Sequence, residues 1–283
     1  MISARRARAA RGRGYATRVR RGDGRLVFVV GSPRSGTTFL GNALGELPGF
    51  LDLGDVPPLK AVLPKLPMPS GGSIAAEAVA AARIRQVLER VRLFGFARHL
   101  RCVEHTPEMA FFARAAARGY PDARWIHLVR DGRDVACSLL ERGWLGSGRE
   151  GRAGAGLALA VHRPFWVEPE RAAEFEQASE ATKAAWAWRA YVAAARSARP
   201  EALAIRYEQL AADPLGIAAV IANHLEVPSA PLEASLTRVH ARSVGRFRRD
   251  LGAAALRDVE QEAGGLLREL GYTSGADRAL GAD

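Results

Sequence analysis

The chain has 283 residues, enough for one large domain or two small ones at about 150 residues per domain. Hydrophobic residues make up 48% and charged residues 25%, which excludes a disordered, fibrous or collagen-like protein. The net charge of +11 suits nucleic acid, an anionic membrane surface or a phosphorylated small molecule as a partner. The longest strongly apolar run, residues 26–30, is far shorter than the ~20 residues of a membrane span, so we expect a cytoplasmic protein without a transmembrane segment.

The N-terminal residues are strongly basic and carry few large apolar side chains. The first 22 residues contain eight arginines and no acidic residue. Residues 1–24 are therefore predicted to be a flexible basic tail, and residues 25–283 a single domain. A basic nucleic-acid-binding protein stays an alternative, but no nucleic-acid-binding motif supports a specific nucleic-acid partner. The two cysteines, Cys102 and Cys137, lack a CxxC or His-rich neighbour and are predicted to be reduced, buried and not metal ligands.

Short apolar runs alternate with helical patterns along the chain. Strands are predicted at 25–30, 101–104, 125–129 and 203–206, with amphipathic helices between them. This alternation is typical of βαβ units and predicts an α/β fold of the P-loop type, with three layers and a central parallel sheet flanked by helices.

Two segments are too rich in proline or glycine for a predicted helix or strand. Residues 56–72 contain five prolines and are predicted to be an irregular loop. The glycine-rich segment between Trp144 and Ala155 is predicted to be a mobile loop, and it could close over a site.

The first predicted strand leads into residues 31–38, GSPRSGTT, which have the spacing of a phosphate-binding loop. Backbone N–H groups and the N-terminus of the following helix bind phosphate oxygens in such loops. Thr37 stands where P-loop kinases carry lysine, so Arg34 must supply the cation. The loop is thus predicted to bind a phosphate ester without a required metal. Its predicted binding residues are Pro33, Arg34, Ser35, Gly36, Thr37 and Thr38.

A second anion site is predicted in residues 125–138, WIHLVRDGRDVACS. Arg130 ends an apolar strand and Ser138 lies in the early turns of the next helix, so both side chains can converge on one phosphate. Two anion sites together imply a doubly phosphorylated nucleotide. A P-loop nucleotide kinase or NTPase, with Asp131 on magnesium, stays an alternative. His127 lies inside the apolar strand and is predicted to belong to the core.

These two motifs together resemble the sulfotransferases that use 3′-phosphoadenosine 5′-phosphosulfate (PAPS), in particular bacterial relatives of tyrosylprotein and carbohydrate sulfotransferases. The resemblance covers roughly residues 25–273. Further matching segments are Glu104-His105-Thr106-Pro107, 206–214 and 243–247.

The resemblance implies transfer of a sulfuryl group from PAPS to a hydroxyl of an acceptor, without a metal. The product nucleotide would be adenosine 3′,5′-bisphosphate (PAP). The first motif would hold the 5′-phosphosulfate, and the second the 3′-phosphate. The residues that the resemblance places at the nucleotide beyond the first loop are Arg130, Ser138, Tyr207, Gly245 and Arg246.

Sulfuryl transfer needs a base for the acceptor's proton, and the sequence offers three candidates. Asp55 falls where the enzymes that the chain resembles carry a catalytic glutamate, and it ranks first. His105 ranks second because a neutral imidazole is a competent base near pH 7; many relatives have lysine at this place. Glu104 ranks third. Arg34 would stabilise the charge on the leaving phosphate.

The acceptor itself is open between a sugar, a lipid, a natural product and a peptide. The loops that set specificity in such enzymes carry no pattern that names a partner. Trp144, Phe165 and Trp166 favour a ring-bearing or apolar acceptor if they line the site, and they belong to the core otherwise. A small-molecule or carbohydrate acceptor is the expectation.

Overall fold

The computed structural model describes residues 25–68, 73–94, 100–143, 164–199 and 201–272. The predicted basic tail and the predicted mobile loop between Trp144 and Ala155 lie outside these ranges. Within them, five parallel strands form one sheet in the order β2-β3-β1-β4-β5. The strands are β1 (Leu26–Val30), β2 (Phe50–Gly54), β3 (Arg101–Glu104), β4 (Arg124–Val129) and β5 (Leu203–Arg206).

Helices follow the strands and pack against the sheet. None of the described helices is long and apolar enough to cross a membrane. The helices are α1 (Thr37–Gly45), α2 (Pro57–Val62), α3 (Ile74–Phe94), α4 (Met109–Gly119), α5 (Gly132–Arg142), α6 (Ala172–Gln177), α7 (Glu180–Ala198), α8 (Tyr207–Ala212), α9 (Pro214–Leu225), α10 (Ala230–Leu236), α11 (Phe247–Asp250) and α12 (Ala253–Glu269).

Strand β1 shows why the sheet is covered on both faces. All five of its residues are buried, and successive side chains point to opposite faces of the sheet. Leu26 and Phe28 join a core cluster with α3 and α4, whereas Val27 and Val29 join a second cluster with α1 and α9. A third cluster packs α5, α7 and α12 together beyond the end of β4. The predicted three-layer α/β architecture is confirmed.

The proline-rich segment is not the irregular loop that was predicted. Residues 57–62 form α2, and Leu63–Lys65 continue as a 3₁₀ turn. Proline is tolerated in the first turn of a helix, and here it stands in the first turn of both elements. Leu59 and Leu63 are fully buried, which shows that packing against the core decides this segment.

Strand β2 was not predicted from the sequence. Its five residues, FLDLG, include an aspartate and a glycine, and only Phe50 is buried. The strand lies at the edge of the sheet, where it pairs with β3 and places Gly54 opposite Glu104. The pairing carries the next residue, Asp55, to the carboxyl end of β3, where the active-site candidates gather.

Candidate active site

The carboxyl ends of the five parallel strands bring the predicted site residues to one edge of the sheet. The phosphate loop follows β1 and Asp55 follows β2. Glu104 ends β3, and Arg130 and Tyr207 follow β4 and β5. In open α/β sheets this edge is where ligands bind.

The loop between β1 and α1 has the shape of an anion cradle. Arg34 and Gly36 adopt positive φ angles of 69° and 97°, which turn the backbone sharply into α1. Within the described part of the chain, no side chain caps the N-terminus of α1. The buried hydroxyl of Ser35 likewise has no hydrogen-bond partner there. Free N–H groups and a buried hydroxyl at a helix N-terminus are what a phosphate group requires.

Glycine is required at Gly36 because Tyr207 packs directly against the loop. A Cβ atom at this position would lie 2.8 Å from the Tyr207 ring. The Tyr207 hydroxyl donates a hydrogen bond to the His240 carbonyl at 3.0 Å, and its ring lies 4.8 Å below the Arg130 guanidinium. Tyr207 therefore connects the first motif to the second.

The two phosphate motifs contact each other although they are about a hundred residues apart. Arg34 Nε donates to Ser138 Oγ at 2.9 Å. Arg130 Nη1 donates to the Arg34 carbonyl at 3.1 Å, and its Nε has no partner among the described residues. Burial and the guanidinium groups of Arg142 and Arg130 lower the pKa of Arg34. This concentration of positive charge favours an anion at the junction of the motifs.

Residues Gly245 and Arg246 lie beside α5, close to the second motif. Gly245 has a φ of 71°. The Arg246 guanidinium pairs with Glu141, one turn beyond Ser138, and its Nε lies 2.8 Å from Asp250. Arg246 would have to exchange these carboxylates for a phosphate in order to bind a nucleotide.

The three candidate bases stand in a cluster of charged groups, and Asp52 and Lys60 belong to it. His105 Nε2 lies 3.2 Å from Asp52, and its Nδ1 lies 3.3 Å from Asp55. Lys60 Nζ contacts the other Asp55 oxygen at 2.6 Å. The His105 ring packs on Gly41 of α1, where a Cβ atom would overlap it, so the cluster adjoins the phosphate loop. The sequence reasoning missed Asp52 and Lys60 because they lie in the unpredicted elements β2 and α2.

The charge state of these groups follows from their contacts. Burial disfavours the charge on His105, but Asp52, Asp55 and Glu104 outweigh it and raise the pKa of His105 to about 10. Burial opposes ionisation of Asp55, but contacts with His105 and Lys60 prevail and lower the pKa of Asp55 below its usual value. These shifts favour the imidazolium form of His105 and the carboxylate form of Asp55.

Two further carboxyl groups are buried beside this cluster. Burial raises the pKa of Glu104 to about 7, although its Oε1 accepts the Thr106 N–H at 2.7 Å. Burial also raises the pKa of Glu108 to about 7; this residue is only 2% exposed. Glu108 stands before the first residue of α4, a place where an acidic side chain is ordinary, so no sequence pattern marked it as a site residue.

Substitution Glu108→Gln is expected to raise the free energy of unfolding at pH 8 by about 1–3 kcal/mol. The folded protein binds the Glu108 proton more tightly than the unfolded chain does, so this stability is lost as pH rises from about 4.5 to about 7. Denaturant unfolding at pH 4 and pH 8 measures the effect. The variant and the wild-type protein should be nearly equally stable at pH 4, below both pKa values of Glu108, and an equal difference at both pH values would contradict the prediction.

Trp166 belongs to the core, whereas Phe165 is only partly buried. Trp166 is 6% exposed, and its ring lies edge-on to Phe175 at 5.7 Å. Phe165 packs edge-on against Phe111 at 5.3 Å, at the border of the same core cluster. Trp144 lies outside the described residues. The core interpretation therefore holds for Trp166, and contact of Phe165 with an acceptor stays a prediction.

Asp131 is engaged by its own helix. It caps α5 by accepting the Arg133 N–H at 2.9 Å, and both of its oxygens accept hydrogen bonds from the Arg133 guanidinium. A carboxylate held in this way is not presented to a magnesium ion. The contact removes the main support for the kinase or NTPase alternative.

Three further residues have the surroundings that were predicted for them. His127, 4% exposed, is a core residue. Cys102 and Cys137 are buried free thiols.

The family follows from a comparison of the sequence with family models. The model described as "Sulfotransferase family" matches residues 63–231, which is more than half of the chain and includes His105, Arg130 and Ser138. The chain belongs to the sulfotransferase family. A search of curated proteins gave no match.

Solved structures with the same fold are also sulfotransferase domains. One is the sulfotransferase domain from the curacin biosynthetic pathway, at a TM-score of 0.52 and 16% identity, covering 83% of this chain and 96% of that one. Another is the sulfotransferase domain of the Synechococcus PCC 7002 olefin synthase, at a TM-score of 0.50 and 19% identity, covering 85% and 94%. At these identities the likeness establishes the fold of this sulfotransferase, which is the predicted P-loop type.

Proposed function

We propose that this sulfotransferase transfers a sulfuryl group from PAPS to a hydroxyl of a small-molecule or carbohydrate acceptor. The observation that carries the proposal is the direct contact between the two phosphate motifs, in which Arg34 donates to Ser138 and Arg130 donates to the Arg34 carbonyl. A ligand with one phosphate at each end of a ribose would contact both motifs at once. Metal-free binding by arginines and backbone N–H groups is part of the proposal.

The residues present fit such a donor. The N–H groups at the start of α1, the buried Ser35 hydroxyl, Thr37 and Thr38 would hold the 5′-phosphosulfate. Arg130, whose Nε has no hydrogen-bond partner in the described part of the chain, and Ser138 would hold the 3′-phosphate. Tyr207 would keep the loop and Arg130 in register through its packing against both.

The proposed reaction needs a base that removes the acceptor's proton and cations that stabilise the leaving phosphate. When bound, the donor supplies an activated sulfuryl group. Asp55 takes the proton of the acceptor hydroxyl as the oxygen–sulfur bond forms. Arg34 and the α1 N-terminus stabilise the negative charge left on the 5′-phosphate as the bond from sulfur to the phosphate oxygen breaks.

Asp55 is favoured over His105 as the base because of the contacts that His105 makes. An imidazole with one carboxylate at each nitrogen is most stable when both nitrogens carry protons. His105 in that state has no free lone pair with which to accept a proton. It is better suited to hold Asp55 in place and to add positive charge near the transferring group. Glu104 is fully buried on the strand, which separates it from an acceptor.

His105 is expected to remain protonated beyond pH 9 in wild-type protein, because Asp52 and Asp55 both favour the imidazolium form. Substitution Asp52→Asn should lower its pKa by at least one unit. NMR titration of ¹³C- and ¹⁵N-labelled histidine measures both values, with His127 as an internal control because burial lowers its pKa to about 4. A His105 pKa near 6.5 in the wild-type protein would restore His105 as a candidate base.

The main test of the proposed function is nucleotide binding in the absence of metal. PAP is expected to bind with the same affinity in EDTA and in magnesium, because the binding groups are arginines and backbone N–H groups. Isothermal titration calorimetry with PAP, AMP and ATP·Mg²⁺ makes the comparison, and PAP should bind at least tenfold more tightly than AMP. Loss of PAP binding on chelation, or far tighter binding of ATP·Mg²⁺, would favour a kinase instead.

A second experiment tests the nucleic-acid-binding alternative by thermal shift. We propose that residues 25–283 form one catalytic domain and that residues 1–24 are a separate tail. Thermal shift with PAP should then be the same for the full chain and for a chain without residues 1–24. Stabilisation by DNA that exceeds the effect of PAP and depends on the tail would favour the nucleic-acid-binding alternative.

A further inference from the structure

A buried carboxylate holds the backbone on both sides of Arg246. Asp134, in α5, is fully buried. Its Oδ2 accepts the Gly245 N–H at 2.7 Å and its Oδ1 accepts the Phe247 N–H at 3.0 Å. Both oxygens are thus used on one short segment that is more than a hundred residues away in sequence, and Arg246 is the residue between the two amides.

The same segment is held at its other end by Arg130. The Arg130 Nη2 donates to the Ser243 carbonyl at 2.5 Å, while Nη1 of the same guanidinium donates to the Arg34 carbonyl. The Asp134 Oδ2 atom lies 3.9 Å from Arg130 Nη2, and the two residues are four positions apart in the chain. Asp134 and Arg130 therefore hold residues 243–247 together through hydrogen bonds to the backbone, and Arg130 also connects them to the phosphate loop.

Residues 243–247 depend on these hydrogen bonds because few of their side chains are buried. Within residues 243–247 only Phe247 is buried, and its ring lies beneath the Arg133 guanidinium at 4.0 Å. Gly245 has a positive φ, which only glycine adopts without strain. The two charge-assisted hydrogen bonds that Asp134 accepts from the Gly245 and Phe247 amides are therefore the main constraint on the direction in which Arg246 leaves the backbone.

We infer that Asp134 is a positioning residue for the 3′-phosphate site: it fixes residues 245–247 so that Arg246 faces the same phosphate as Arg130 and Ser138. The inference rests on the proposed function and deepens it, because it assigns discrimination for the 3′-phosphate to a residue that does not touch the nucleotide. Arg246 contacts Glu141 and Asp250. The 3′-phosphate would replace these carboxylates, and the backbone held by Asp134 would stay in place.

The test compares Asp134→Asn with Asp213→Asn, a control in which another carboxylate that accepts a backbone N–H, that of Gly216 at 2.8 Å, is changed in the same way. Asparagine keeps the shape of Asp134 but replaces one accepting oxygen with an NH₂ group that cannot accept. PAP affinity is expected to fall about 10- to 100-fold in Asp134→Asn, whereas AMP affinity stays within about twofold. In Asp213→Asn the ratio of PAP to AMP affinity should equal that of the wild type.

Hydrogen exchange in the nucleotide-free protein supplies an independent readout. The Gly245 and Phe247 amides are expected to exchange at least tenfold faster in Asp134→Asn than in the wild type or in Asp213→Asn. Gly245→Ala, which strains the segment without altering the core, should show the same loss of preference for PAP if Asp134→Asn fails to fold.

The outcomes separate this inference from the proposed function. Wild-type protein that binds PAP no better than AMP would overturn both. Normal discrimination in the wild type, with the same PAP to AMP ratio in Asp134→Asn or in a folded Gly245→Ala, would overturn this inference alone. Equal losses for PAP and AMP would also overturn it, because they would show a general structural role.

Discussion

Substitution Asp55→Asn is expected to lower turnover by about 100- to 10,000-fold and to leave PAP affinity nearly unchanged. The amide keeps the size of the side chain but cannot accept the acceptor's proton. Asp55 lies outside the phosphate loop and contacts His105 and Lys60, so the nucleotide site should be unaffected. Turnover is measured with ³⁵S-labelled PAPS and a hydroxyl acceptor identified by screening, and PAP affinity by calorimetry.

Asp52→Asn is the matched control for this substitution. It removes the other carboxylate beside His105 and leaves Asp55 in place. If Asp55 is the base, Asp52→Asn should cost less than tenfold in turnover. Asp55→Asn protein that retains more than about a tenth of wild-type turnover would fall outside the range for loss of a general base and would move the assignment to His105 or Glu104.

Substitution Arg130→Ala is expected to weaken PAP binding by about 1.5–3 kcal/mol, roughly 10- to 150-fold, and to weaken AMP binding much less. The loss combines a missing charge-assisted contact with the 3′-phosphate and a looser connection between the Arg34 and Ser243 carbonyls. Calorimetry with PAP and AMP distinguishes the two explanations: a defect in the 3′-phosphate site weakens PAP binding selectively, whereas general unfolding weakens the binding of both nucleotides.

Arg130→Lys is the informative control for the guanidinium. Lysine keeps the positive charge but cannot donate to two carbonyls and a phosphate in one plane, so an intermediate PAP affinity is expected. Both variants should show a cooperative thermal transition. Arg130→Ala protein that binds PAP like the wild type would place the 3′-phosphate site elsewhere and would remove the main support for Ser138 as well.

The elements that carry the two predicted phosphate motifs could be predicted from the sequence. The strand 26–30, the GSPRSGTT loop and the helix after it are consecutive in the chain, so local periodicity and glycine spacing predict them. The second motif was predictable for the same reason, since Arg130 ends one strand and Ser138 lies in the next helix. The parallel sheet with helices on both faces followed from the alternation of these units.

The surroundings of the candidate bases depend on contacts between segments that are distant in the sequence. Strand β2 is short and weakly patterned, and its place in the sheet depends on pairing with β3 rather than on its own sequence. That pairing brings Asp52 and Asp55 to the two nitrogens of His105, and it turns a residue predicted to titrate near neutrality into a cation. Charge state is set by desolvation and by neighbours distant in sequence, so no local pattern could contain it. The hydrogen bonds that Asp134 accepts from the Gly245 and Phe247 amides likewise form only when α5 and residues 243–247 come together in the folded protein.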